Sequence, residues 1–204
     1  MLIEKKLEKE AYLKPPFFIS YLITDPSIYG DTPIQFEQNF TNILLKHKVD
    51  MVCFRDKETL DTLELVNSFQ KIAKQFQIDK ILINNDIKKA LDIKLDGVHL
   101  TSQQFDKITY AKQHNLYTII SCHNEQEVST AKQYGADAIT YSPIFYKENK
   151  GNPKGCKNLQ MVIEKYQEEN FKIIALGGII NHTQVEQIKD TNCAGFASIR
   201  YFTS

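Results

Sequence analysis

The chain has no net charge, no close pair of cysteines and no apolar run long enough to span a bilayer, and each absence removes a class of function. Lys plus Arg and Asp plus Glu stand at 25 each, so no long-range field draws in nucleic acid or an anionic lipid surface, and any anion site must be local. Cys53, Cys122, Cys156 and Cys193 lie far apart without a CxxC pair, which fits free thiols in a reducing compartment. The opening MLIEKKLEKE is charged where a secretory signal is apolar, and no stretch approaches the roughly 18 apolar residues of a membrane span. The expectation is a cytoplasmic protein with neither nucleic acid nor membrane as partner. The sequons at Asn39 and Asn181 then read as plain surface residues.

What is present is a regular alternation. Short apolar runs at 17–24, 51–54, 80–84, 97–100, 117–121, 138–142, 172–176 and 195–199 are separated by longer segments of helical period. Leu60 to Phe76 places Leu60, Leu63, Val66, Phe69, Ile72 and Phe76 three or four residues apart, and Asn124 to Tyr134 turns Val128 and Ala131 one way. Eight strand–helix units in 204 residues predict a single (β/α)8 TIM barrel over 17–204, with an open doubly wound sheet as the alternative. A domain of this size buries roughly seventy per cent of its unfolded surface and needs no disulfide or metal staple.

The pattern thins at both ends. Only Tyr201, Phe202, Thr203 and Ser204 follow the eighth run, so the final helix of the barrel is expected to be truncated. Residues 1–16 form a charged leader with Leu2, Ile3, Leu7 and Ala11 at near-helical spacing. Either this leader or a second subunit, making a homodimer, is expected to cover the flank of the last strand; a disordered tail is the other reading.

Alternate residues of a strand share a face, so parity assigns side chains to the barrel mouth. Cys53, Arg55 and Lys57 leave the second strand together and aim two cations at the C-terminal rim, where barrel enzymes build their sites. Ser121 and His123 leave the fifth strand in the same way. A histidine there can give or take a proton near neutral pH, while Ser121 suits a ring, a phosphate oxygen or a helix cap. His99 reads as a satisfied core residue, and His47, His114 and His182 fall away from the mouth. Gly177 and Gly178 after strand 7, with the amides around Ala197 and Ser198 after strand 8, suggest a phosphate cradle. Gly135 reads as the cap of the helix before strand 6.

With YLITD (21–25), FRDK (54–57), INND (83–86), DGVHL (96–100), SCH (121–123), GADAITYSPIF (135–145), LGGI (176–179) and GFAS (195–198) in this order, the chain resembles the thiamine phosphate synthase and thiazole tautomerase family. The resemblance implies the same barrel and a phosphorylated thiazole as small-molecule partner. It also implies that Arg55, Lys57, Asn85 and Lys150 face phosphate or pyrophosphate and that Asp86 carries Mg2+ in the synthase branch. Against the synthase pattern, Cys53 replaces a glutamine, and TSQQFD after DGVHL puts Gln104 where a second metal carboxylate belongs, with Asp106 two residues on. His123 matches the acid/base histidine of the tautomerase branch. The expected function is therefore a thiazole tautomerase-like isomerase with catalytic His123 and Ser121 and no cofactor. The alternatives are a Mg2+-dependent thiamine phosphate synthase and a catalytically idle barrel that binds a phosphoester.

Overall fold

The structure is a computed structural model that describes residues 17–57, 59, 62–148 and 151–203. Eight parallel strands, β1 (Ile19–Ile23), β2 (Met51–Phe54), β3 (Lys80–Asn84), β4 (Gly97–Leu100), β5 (Tyr117–Cys122), β6 (Ala138–Tyr141), β7 (Lys172–Leu176) and β8 (Gly195–Ser198), close into a barrel in chain order. Around them run the helices α1 (Pro26–Tyr29), α2 (Pro33–Lys46), α3 (Leu63–Gln75), α4 (Ile87–Asp92), α5 (Ile108–Gln113), α6 (Glu125–Gln133), α7 (Gly155–Tyr166) and α8 (His182–Lys189). The closed ring is the (β/α)8 architecture expected, and the open sheet is excluded because β1 pairs with β8. The leader 1–16 and Leu60 lie outside the described residues. No described helix is long and apolar enough to cross a membrane.

Local chemistry sets the helix starts. Thr32 takes Gln35 N at 3.4 Å ahead of Pro33, and Asp25 takes Ser27 N at 3.2 Å ahead of Pro26, so each proline sits at the first helical position, where its missing N–H costs nothing. Asn181 caps α8 through Gln184 N. Gly135 follows α6 at φ +83 with its N–H on the Lys132 carbonyl, the left-handed exit that glycine tolerates.

A repeated device ties the strands at their N-terminal end. Asp50, Asp96 and Asp137 precede β2, β4 and β6, and their carboxylates accept the N–H of Ser20, Ile81 and Thr118 at 2.8, 2.8 and 2.7 Å. Each aspartate thus satisfies a backbone donor of the preceding odd strand that would otherwise face the loop. Before β8 the pair is Cys193 and Ala194, and the Cys193 thiol bonds to the Ile173 and Gly195 carbonyls instead.

Two hydrophobic layers result. Outward residues such as Leu22, Val52, Phe54, Val98 and Ile120 meet the helices, while Tyr21, Met51, Cys53, Leu82, Ile119, Ala138, Ile174 and Ala197 fill the barrel. On the β8 flank Phe202 is buried and stacks on Phe196 at 5.8 Å, with Tyr201 edge-on at 5.0 Å. The short 3-10 turn Tyr201–Thr203 therefore covers part of the β8 flank.

Toward the mouth the interior turns polar. The His99 ring lies in the barrel with Nδ1 at 2.9 Å from the Tyr21 hydroxyl and Nε2 at 3.1 Å from Ser121 Oγ and 3.3 Å from Thr140 Oγ1. Burial, and then the charge of Arg55, push its pKa down to about 4, so it is neutral at physiological pH.

His99 in the barrel and Tyr29 in the outer layer each carry a prediction. Because the unfolded chain protonates His99 near its ordinary pKa of about 6.5, its stabilisation is complete above that pH and is lost as pH falls toward 4. Urea unfolding at pH 7 and pH 4.5 is expected to show the wild type losing about 2 kcal/mol more than His99→Gln across the interval; equal losses would remove the assignment. Tyr29 is fully buried, and its hydroxyl has no partner among the described residues. Tyr29→Phe is therefore expected to keep or raise stability by about 1 kcal/mol, whereas a loss of that size in the same experiment would reveal a partner for the hydroxyl.

Candidate active site

On the β1/β2 side of the mouth, Arg55 is held from three directions. Its N–H donates to Thr24 Oγ1 at 2.8 Å, its carbonyl accepts from the same hydroxyl at 3.2 Å, and Nη1 reaches Asp25 Oδ2 at 3.1 Å. Asp25 spends its other oxygen on Ser27, so one carboxylate both caps α1 and orients the guanidinium. Lys57 lies two residues on and is exposed. Lys150 is outside the described residues.

On the β3/β4 side, Asn84 donates to the His99 carbonyl at 2.8 Å, and Asn85, at φ +68, donates its N–H to the same oxygen at 3.0 Å. Asp86 caps α4 by accepting Lys89 N at 2.8 Å on Oδ1. Gln104 is engaged within the loops, accepting from Thr101 N at 2.9 Å and donating to the Asn85 carbonyl at 3.3 Å. Asp106 is exposed and pairs with Lys107 at 3.1 Å. Among the described residues no group of three or more His, Cys, Asp or Glu side chains gathers as a metal site. The donor set at this edge is thus one carboxylate, which suits Mg2+ where substrate phosphate and water complete the shell.

The β5/β6 side presents His123 at the rim. Its Nδ1 is 3.1 Å from the Ser142 carbonyl and equally far from Ser142 Oγ. A carbonyl only accepts, so Nδ1 carries the proton and Nε2 keeps a lone pair for chemistry. Glu127 fixes the backbone from below, taking His123 N at 2.6 Å and Asn124 Nδ2 at 2.9 Å while its own N–H caps on Asn124. Ser121 sits deeper, on the His99 ring.

After β7, the glycine pair is demanded by the chain itself. A Cβ on Gly177 (φ +96) would meet Pro143 Cα at 2.8 Å, and one on Gly178 (φ +72) would meet the Tyr146 carbonyl at 2.5 Å. Ile144 and Phe145 donate to the Leu176 and Gly177 carbonyls at 3.0 Å each, locking the two loops together. Ala197 is buried in the barrel, and the Ser198 hydroxyl is committed to the Ile179 carbonyl at 2.8 Å and to Tyr201 N. Any anion contact at Ser198 would therefore fall to the backbone. Arg200 is exposed.

The fold thus carries Arg55, Lys57, Asn85, Asp86, Ser121, His123, Gly177 and Gly178 to the C-terminal ends of their strands. Sequence reading missed Asp25, Thr24, Asn84, Ser142 and Glu127. Parity within β3 finds Asn84, parity extended one step past β1 and β6 finds Asp25 and Ser142, and the N-x-x-E capping box finds Glu127. A cleft of about 550 Å3 opens instead at the N-terminal end, lined by Lys80, Asp96, Lys112, Tyr117 and Asp137. Its carboxylates hold backbone N–H groups, and Lys112 is locked on Asp137 at 2.6 Å. Those groups are consumed by the fold, so the mouth remains the candidate site.

Comparison with known proteins shows the family. The profile of the thiamine monophosphate synthase family matches residues 20–202. An Aquifex aeolicus protein provisionally named thiamine-phosphate synthase 2 is 33% identical over 164 residues, covering 78% of this chain and 84% of its own. The thiamine-phosphate synthase of Latilactobacillus sakei is 31% identical over 178 residues, covering 81% and 79%. Among solved structures, thiamine phosphate pyrophosphorylase from Pyrococcus furiosus superposes with a TM-score of 0.74 at 20% identity, over 89% of this chain and 85% of that one, a likeness of fold. With a profile spanning nearly the whole barrel and relatives above 30% identity, the chain belongs to the thiamine monophosphate synthase family.

Proposed function

We propose that the chain is a transferase that couples a pyrimidine methyl pyrophosphate to a thiazole phosphate. This reverses the emphasis of the sequence reading, because the relatives above 30% identity carry the synthase name. The observation that carries it is the anchoring of Arg55 by Thr24 and Asp25 at the mouth, a cation oriented before any ligand arrives. In the reaction the bond from the pyrimidine methylene to pyrophosphate oxygen breaks, its electron pair leaving with pyrophosphate. The thiazole nitrogen then donates its lone pair to the carbon cation. A preorganised guanidinium stabilises the departing anion most where charge grows. Lys57 and Lys150 are assigned the same role, and the amides around Gly177, Gly178, Ala197 and Ser198, with Asn85, the thiazole phosphate end. Asp86 is the carboxylate that would hold Mg2+, which when bound neutralises pyrophosphate charge.

One observation favours a second reading. His123 sets Nδ1 against the Ser142 carbonyl, which in the neutral ring leaves Nε2 as the base, and a proton shift on a carboxythiazole phosphate needs a base and a phosphate anchor, with Ser121 deeper in β5 and no metal.

A paired assay separates the two. Coupling of the pyrimidine pyrophosphate to thiazole phosphate is expected to need Mg2+, to fall at least about a hundredfold in Arg55→Ala and to fall about as far in Asp86→Asn. If coupling is undetectable while thiazole isomerisation proceeds and drops about a hundredfold in His123→Ala, the second reading replaces the first. Binding of thiazole phosphate with neither turnover would leave a carrier barrel.

A further inference from the structure

Gln104 is gripped at both ends by backbone groups whose roles cannot be exchanged. Thr101 N–H donates to Oε1 at 2.9 Å, joined by the Thr101 hydroxyl at 3.1 Å, and Nε2 donates to the Asn85 carbonyl at 3.3 Å. One end must accept and the other must donate, which an amide does and a carboxylate cannot. An acid at this position would set an anionic oxygen against the Asn85 carbonyl.

What the bond holds is the turn after β3. Asn85 stands at φ +68, a left-handed state that asparagine tolerates better than most residues and that neighbouring groups here enforce. The enforcement comes from its N–H on the His99 carbonyl at 3.0 Å and its own carbonyl on Gln104. Asp86 follows at once, with Oδ1 occupied by the Lys89 N–H at 2.8 Å. Gln104 therefore fixes the exit of β3, and through it the remaining oxygen of Asp86, while contributing no charge.

We propose that Gln104 is a positioning residue whose amide holds the Asp86 turn and leaves the protein short of anionic ligands there, so a divalent cation enters together with pyrophosphate and not on its own. The inference rests on the coupling reading above. A hard cation such as Mg2+ favours anionic oxygen and keeps several waters. A single carboxylate oxygen is a poor host for it, and pyrophosphate supplies the missing charge.

Mn2+ as a paramagnetic stand-in, read by electron paramagnetic resonance with and without inorganic pyrophosphate against protein-free blanks, tests the cation half. Backbone amide exchange across residues 84–90 tests the positioning half. The wild type is expected to bind Mn2+ at least about tenfold more tightly with pyrophosphate than without. Gln104→Ala is expected to speed exchange in the turn and weaken the joint binding by about tenfold, with no gain for Mn2+ alone. Gln104→Glu, which also loses the Asn85 bond, is expected to speed exchange in the turn as Gln104→Ala does and yet to raise affinity for Mn2+ alone by about tenfold, since the protein then supplies the charge. Equal wild-type affinity with and without pyrophosphate, or no gain in Gln104→Glu, overturns the cation half. Unchanged exchange in Gln104→Ala overturns the positioning role. If neither Mn2+ nor pyrophosphate binds the wild type in any combination, the coupling reading and the cation half fall together, and the exchange measurement still decides the role of Gln104.

Discussion

Closure of the ring between β1 and β8 governs everything else in this molecule. Ile19, Ser20, Tyr21 and Leu22 pair in register with Gly195, Phe196, Ala197 and Ser198. The first of these pairs leaves no room for a side chain on its β8 side, since a Cβ on Gly195 would lie 2.3 Å from the Ile19 carbonyl. Once the ring is closed, inward and outward residues alternate without choice. The inward set then fills the barrel with apolar groups below and the Tyr21–His99–Ser121–Thr140 hydrogen bonds above. The groups that continue this parity past the strands, Asp25, Arg55, Ser142 and His123 among them, are delivered to one rim.

The mouth combines two kinds of preparation. Arg55 is an oriented cation, and His123 is an oriented base. They sit on different sides of the opening, after β2 and β5. Under the proposed function, pyrophosphate departure would call on the first, and under the second reading proton transfer would call on the second. The proposed cation supply lies at the β3/β4 edge, where Asp86 follows the Asn85 carbonyl that the Gln104 amide holds.

Much of the barrel was legible before any coordinates. The apolar runs at 51–54, 80–84, 97–100 and 172–176 coincide with β2, β3, β4 and β7, because a parallel strand buried on both faces writes itself as an uninterrupted apolar word. The runs ending at Thr24 and Ser142 overshoot by a residue, since both side chains are buried without belonging to the ladder. The site was less legible. Parity brings out Arg55 and His123, yet nothing local says that Asp25 divides its oxygens between a cap and a guanidinium. The glycines at 177 and 178 spell a phosphate loop in sequence. In space they answer first to Pro143 and Tyr146, a contact between segments more than thirty residues apart. His99 reads as a satisfied core residue, but only the fold shows the hydroxyls of Tyr21 and Ser121 on its two nitrogens.

The strand-leading aspartates Asp50, Asp96 and Asp137 place the cross-strand stitching at the end of the barrel remote from the mouth. Cohesion and chemistry are thereby housed in separate territories of one small molecule. Substitutions at the open rim, such as at Gln104 or in the loop from Thr101 onward, touch none of these seams, so the rim can be altered while the vessel keeps its shape.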